Sequence, residues 1–408
     1  MQIRPVISAL HRHKAGTLLI ALQIALTLAI VCNAFFMIKQ RASKLSAPLG
    51  IDGRDLFVVR NEWVGQPRDI DALMRADVAA LRALPQVAGA FPTDSEPLGG
   101  NGWDSGILLS PDQARETSHA SQFFDDEQAL DVLRIRLIAG RNFRADEVRP
   151  MEPQSTTEPP VTIISKALAK RLFPDGHALG KAIYFAPGAR PSIVIGIVEH
   201  LHTPYTVAAS ESFADQSAIM PLRLLANRTD YVMRARPGQL ADAMKAARKT
   251  LFAMNGARVI DPKDGVLSFD DLRSGAYAGD RGMVKLMGSI CVVLLAVTAA
   301  GIVGLTSFWV GQRRKQIGVR RALGARKRDI LSYFLTENFL IGIGGVLLGT
   351  VFAMALNLWM VANYAQAHLP WGFVGLGAIT LLLLGQGAVL APALRASQVP
   401  PVVASRSV

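Results

Sequence analysis

The sequence predicts a membrane protein: four transmembrane α-helices, with a large α+β extracytoplasmic domain between the first and the second. Three observations lead there. Four uncharged runs, 18–38, 287–310, 339–362 and 371–394, each reach the ~20 residues a helix needs to cross the hydrocarbon core. The stretch between the first two runs is polar, and residues 18–310 hold 31 basic against 30 acidic side chains. The formal net charge of +12 therefore sits in short flanks: three Lys/Arg in 1–17, eight against Asp329 alone in 313–329, and Arg395 and Arg406 after the last run. Positive charge beside apolar spans marks cytoplasmic flanks. Nucleic-acid binding would place that charge on the large polar region, with aromatics to stack on bases, and is set aside.

Residues 1–17 read as a cytoplasmic amphipathic segment, with Val6, Ile7 and Leu10 near one helical face; a surface helix and an irregular basic flank both fit. The run 18–38 is the first span. A cleaved signal peptide would have a shorter apolar region and a small-residue cleavage site. Gln23 and Asn33 within the run read as helix-packing polar groups. The extracytoplasmic domain covers 39–286. It opens with a strand at 55–60 (DLFVVR), a helix at 70–84 and a strand at 87–91. Near its end a strand at 231–236, a helix at 239–254 and a strand at 258–260 repeat the order, which predicts that the two halves pack together. Between them lies a subdomain inserted over about 100–225, with a Pro/Ser/Thr/Glu-rich loop at 149–160, a strand at 161–164, a helix at 166–173 capped by Ser165 and stopped by Pro174, and a β-branched strand at 192–199.

The second span is 287–310, followed by a cytoplasmic loop and helix at 311–338. The third span is 339–362, a short extracytoplasmic loop takes 363–370, the fourth span is 371–394, and 395–408 is a cytoplasmic tail. Both termini then lie inside. Gly345 and Gly349 form a GxxxG pair that lets helix backbones approach closely, within one bundle or across a dimer seam. Cys32 and Cys291 both fall in spans, so the polar domain has no disulfide.

Catalytic patterns are missing. No GxxxxGK[ST] string occurs; the nearest, 176–181 (GHALGK), has the wrong spacing for phosphate binding. A GxSxG elbow is also absent. His200 and His202 beside Glu199 read as a strand-to-loop exit, with too few ligands for a metal site, so no metal or cofactor is assigned. Glu337 reads as pairing with a nearby arginine at the membrane edge. The working part is expected in 311–329, GQRRKQIGVRRALGARKRD, where Ile317, Val319, Ala322, Leu323 and Ala325 sit among eight cations.

Three motifs resemble MacB-type, FtsX-like permease subunits of ABC transporters. The string RKQIGVRRALGA at 314–325 resembles that family's loop after the second span. The series AGRNF at 139–143, ALAKRLF at 167–173, LGK at 179–181 and IGIV at 195–198 is similar to the periplasmic core domain. PALRA at 392–396 with Pro400-Pro401 resembles the C-terminal end. The resemblance implies an inner-membrane permease that is not itself an enzyme, with ATP bound by a separate ABC ATPase subunit. It implies a homodimer, or a heterodimer with a related permease, and possible partners in a membrane-fusion protein and an outer-membrane channel. It implies that Gln316, Ile317, Gly318, Val319, Arg320, Arg321, Ala322, Leu323, Gly324 and Ala325 form a coupling helix docked on the ATPase. Stalk helices at about 39–48 and 269–285 would carry its movement to the periplasmic domain, for efflux or for lipoprotein or peptide handling. The alternative is a non-transporting regulator of a periplasmic enzyme or sensor built on the same relay. The family usually has Glu where this chain has Gln316, and some members carry a fused ATPase.

Overall fold

The computed structural model describes residues 14–398 except 66, 156–157 and 365–366. The segment 1–13 and the tail from 399 lie outside the described residues. The chain divides into two units, one holding 47–278 and the other the flanking residues.

In the flanking unit, four helices are long and apolar enough to cross a membrane: Lys14–Leu45, Ala278–Gln312, Lys327–Tyr364 and Trp371–Ser397. Each outruns the uncharged stretch that announced it. Charge ends a span but not a helix, because Lys and Arg are good helix formers. The first helix thus runs on through Lys39, Arg41 and Lys44 to Leu45. Beyond the apolar run, Arg41 pairs with Asp280 of the second helix. The stalk expected over 269–285 is broken: Phe269–Ala276 is a separate helix that ends at Tyr277.

The first helix is the hub of this bundle. Ile20, Ile24, Leu28 and Cys32 are enclosed with Ile302, Ile341, Leu381 and Val389 from the other three. Gly345 and Gly349 supply the close approach. A Cβ on Gly345 would lie 2.9 Å from the Ala21 carbonyl oxygen, and one on Gly349 2.8 Å from the Ala25 Cα. The GxxxG pair is therefore used inside the chain. Polar groups join the same helices, as expected for Gln23 and Asn33: Gln23 Nε2 donates to the Val297 carbonyl at 3.2 Å, and Asn33 Nδ2 to the Ala353 carbonyl at 3.1 Å. Outward faces carry Val292, Val293, Leu347, Val351, Ile379 and Leu383, the surface a bilayer solvates.

The 47–278 unit is built on two sheets. In the first, the strand Leu56–Trp63 pairs antiparallel with Arg228–Ala235, so Phe57 faces Met233 and Val59 faces Tyr231. Residues far apart in the chain thus meet at the centre, and the halves do pack together. Val87–Thr93 lies on the far side of Arg228–Ala235, and Arg258–Val259 and Val266–Ser268 lie on Leu56–Trp63. The helices Ile70–Arg82 and Leu240–Met254 cover it with Val78, Leu81, Ala243, Ala247 and Leu251. The second sheet has the order Trp103–Ile107, Ser118–Phe124, Ser217–Met220, Val161–Ser165, Ser192–Val198, Leu137–Gly140. The helix Lys166–Leu172, capped by Ser165, packs Leu168 and Leu172 on it. One expectation fails: 149–160 is not all loop, since Arg149–Met151 forms a parallel pair with Leu222–Leu224.

Candidate functional site: the basic loop between the second and third spans

The loop starts from a buried ion pair. Arg313 Nη1 donates to both carboxylate oxygens of Glu337, at 3.1 and 3.0 Å, and the two side chains are only 11% and 5% exposed. The first loop residue is thereby fixed to the third span helix, and the expected arginine partner of Glu337 is identified. Such a pair adds little net stability, but removing one partner strands a buried charge.

Arg314–Ala322 follows as a nine-residue helix. Its inner side is Ile317 and Gly318, both buried, and Ile317 joins the cluster of Trp309, Ile330 and Phe334. Its outer side presents Gln316, Val319, Arg320 and Ala322. Arg320 lies over the Tyr333 ring at 5.2 Å, and Arg321 Nη1 donates to the Ser397 carbonyl at 2.8 Å. The helix is then stopped by a defined closing turn. Gly324 takes φ +97°, a left-handed conformation that costs a side-chain-bearing residue ~1–2 kcal/mol. The Ala325 N–H reaches the Arg320 carbonyl at 3.0 Å and the Gly324 N–H the Arg321 carbonyl at 3.2 Å, which is the Schellman pattern. Asp329 Oδ2 then accepts from the Arg326 N–H at 2.8 Å, so the next helix opens under its own cap.

The stop sets the site. Leu323, at the helix's last turn, is 82% exposed, more than any other large apolar side chain among the described residues. Val319, one turn back, is 48% exposed. Val319, Ala322 and Leu323 stand three and four residues apart, on one face, and the exposed Lys315, Arg326, Lys327 and Arg328 precede and follow them in the chain. Of the residues expected in the coupling helix, the structure gathers these three with Gln316 and Arg320 on the outside and half-buries Ala325. It takes Ile317 and Gly318 to the inside, where they hold the helix on the bundle and are closed to any partner. Arg321 is committed to Ser397. Neither that tie nor the inward face of Ile317 is written in the local pattern, since periodicity gives a helix an apolar side without saying which neighbour occupies it. The 176–181 string lies between the helix Lys166–Leu172 and the strand Ala182–Ile183, whereas a phosphate-binding loop runs from strand to helix.

Residues 17–251 match the family model for the MacB-like periplasmic core domain, and 288–401 that for the FtsX-like permease C-terminal region. A macrolide export ATP-binding/permease protein MacB from Mannheimia succiniciproducens is 25% identical over 98% of this chain and 59% of its own length. A protein of the same name from Neisseria meningitidis is 26% identical over 98% and 60%. The chain thus spans about three fifths of the length of the curated relatives it matches. Among solved structures, the periplasmic region of MacB from Actinobacillus actinomycetemcomitans aligns with 57% of this chain and 97% of its own, at 16% identity and a TM-score of 0.33.

Proposed function

The chain belongs to the FtsX-like permeases that carry a MacB-like periplasmic core domain, and from that premise we propose that it is the membrane component of an ABC transporter, driven through its basic loop by an ATPase. One observation carries the reading: Leu323 and Val319 are held out on a rigidly terminated helix, on a segment whose charge keeps it out of the bilayer. Burying a leucine is worth ~1.5–3 kcal/mol, so an exposed Leu–Val–Ala face flanked in the chain by cations suits an apolar groove with an acidic rim. ATP binding on the partner shifts the groove, and Ile317 and the Arg313–Glu337 pair pass the push to the spans.

The charge bias supports a multi-pass inner-membrane protein with the loop and both termini in the cytoplasm and the 47–278 unit in the periplasm. Two copies, or one copy and a related permease, would receive two ATPase subunits. The relatives' name makes export the direction we assign, with a membrane-fusion protein and an outer-membrane channel as candidate partners. The test is capture of a separately expressed ABC ATPase by the full chain in detergent. Leu323→Asp is expected to abolish capture while the protein stays folded; undiminished capture would refute the docking assignment. Cysteines at Ser118 and Arg326 should label from opposite sides of the membrane, and same-side labelling would overturn the topology.

A further inference from the structure

We propose that the 47–278 unit holds a mononuclear site for a divalent transition metal of the zinc class, formed by His200, His202 and Asp215. Sequence spacing offers only the two histidines; the fold brings the third ligand. Asp215 Oδ1 lies 3.3 Å from His202 Nδ1 and 3.6 Å from His200 Nε2, and one ligand atom from each residue falls within 4.8 Å of the others. Ligands bound to zinc at ~2.0–2.2 Å in a tetrahedron sit ~3.3–3.6 Å apart, and the two measured separations match that spacing. Two imidazoles and one carboxylate, with a fourth position left for water, suit Zn(II) and other imidazole-binding metals. His200 Nε2 donates to the Pro48 carbonyl at 2.8 Å, a hydrogen bond that the ion would replace.

The ligands are held by hydrogen bonds outside the site. The His202 N–H donates to the Leu49 carbonyl at 3.1 Å and the Thr203 N–H to the Ala214 carbonyl at 2.7 Å, which draws the two ligand-bearing segments together. Buried Ser165 donates to the Asp215 carbonyl at 2.7 Å, and buried Ser217 to the Leu201 carbonyl at 2.7 Å. The rings of His200 and His202 lie nearly parallel, at 18°. Preorganisation of this kind is what a metal site needs from its support. Binding would replace the hydrogen bonds that His200 Nε2 and His202 Nδ1 make to Pro48 and Asp215, with the ring proton carried on the nitrogen away from the ion.

His119 makes the contrast. Its two nitrogens face separate acids, Asp104 at 2.6 Å and Glu116 at 3.2 Å, and no second imidazole joins them there. That is an ion-paired surface histidine; the trio around Asp215 is a convergent donor set. A bound metal would clamp the exit of the strand Ser192–Val198 to the segment that carries Asp215.

The experiment uses the full chain in detergent, with His11→Gln and His13→Gln to remove the N-terminal histidine pair, stripped of metal and titrated with Co(II), then with Zn(II) in competition. One saturable Co(II) site with tetrahedral visible absorption, displaced by Zn(II), is expected. His202→Ala and Asp215→Asn should each weaken it by at least the ~10–100-fold that loss of a supporting partner alone costs, and His119→Ala should leave it unchanged. Asp215→Asn keeps the side chain's shape, so an unchanged melting point without metal shows that the fold is intact. Absence of saturable tetrahedral absorption, or undiminished affinity in both ligand variants, would overturn the proposal.

Discussion

Arg258 of the 47–278 unit and the exposed cations of the loop between the second and third spans are arranged in opposite ways. Arg258 is fully enclosed, and every part of it is engaged. It makes two bonds to Asp77, at 2.9 and 3.0 Å, and donates to the Asn255 carbonyl at 2.7 Å. Its plane lies 4.4 Å from the Trp63 ring centroid, and Asp77 also accepts from the Tyr231 hydroxyl at 2.7 Å. On the loop, Arg314, Lys315, Arg326, Lys327 and Arg328 are all exposed. The first arrangement ties the helix Ile70–Arg82 to two strands of the first sheet and leaves nothing for a partner. The second adds little to folding, because exposed ion pairs are worth ~0–1 kcal/mol, and is free for recognition. Enclosure, not residue type, separates the charge that holds the fold from the charge left exposed.

The sharpest way to break this contrast is Arg258→Ala. It leaves Asp77, which is 1% exposed, with only Tyr231, and losing one member of a buried pair costs ~3–5 kcal/mol. Denaturant unfolding and limited proteolysis of the 47–278 unit should report that loss, while the folded fraction still captures the ATPase. A cost under ~1 kcal/mol would show that the network is decorative. Ile317→Ala comes next. Ile317 sits on the loop helix but belongs by enclosure to the structural class, and truncating a buried isoleucine costs ~2–5 kcal/mol. We expect the low end, since it packs at the margin of the bundle. Protease sensitivity of the loop should rise with capture weakened only in proportion; capture lost with no change in sensitivity would move Ile317 to the interface.

A third test concerns acids that are enclosed without full compensation. Burial pushes Asp94 up to about 7 and Glu96 up to about 8, and Asp94 Oδ2 and Glu96 Oε2 are buried without a hydrogen-bond partner. A carboxyl whose folded pKa lies above its unfolded value contributes stability below the unfolded pKa and loses it as pH rises through the folded one. The window for this unit is therefore ~4 to 8. Its melting point should fall by a few degrees between pH 6 and pH 8.5, only part of the ionisation cost appearing because Arg60, 3.4 Å from Glu96, offsets some of it. Scanning calorimetry checks the sign, and Asp94→Asn should flatten the slope. A melting point that rises with pH would mean that these acids ionise on favourable terms.

Much of this was legible in the sequence, for physical reasons. A span needs an uncharged run, and all four runs became helices. The strands Leu56–Trp63 and Arg228–Ala235 carry β-branched and aromatic residues, and their helices carry a 3.6-residue period. The second sheet was harder. Ser118–Phe124, SHASQFF, and Trp103–Ile107, WDSGI, lack alternation and hold their places through pairing with residues 11 to 96 positions away. Likewise the loop's charge, its apolar side and the helix stop at Gly324 could be read, but not which apolar residues the bundle would claim. Asp215 could not be joined to His200 and His202, because long-range hydrogen bonds such as Thr203 N–H to the Ala214 carbonyl and Ser165 to the Asp215 carbonyl bring it there.

Gln316→Glu should have the smallest effect, and it probes the loop alone. Gln316 is the third residue of the loop helix and exposed. A glutamate there meets the positive end of the helix dipole and stands four residues before Arg320, a favourable spacing worth ~0.2–0.5 kcal/mol. Arg320 keeps its place over Tyr333, so the gain stays within the chain. The helix should be stabilised by no more than ~0.5 kcal/mol, visible as slower cleavage after Arg320 and Arg321, with ATPase capture unchanged within about twofold, a free-energy difference of ~0.4 kcal/mol. The size of any change in capture decides the residue's class. A tenfold gain, ~1.4 kcal/mol, exceeds what one exposed pair inside the loop can supply. It would mean that the side chain at 316 meets a cation of the partner, which would widen the interface from the Val319–Ala322–Leu323 face to the helix's first turn.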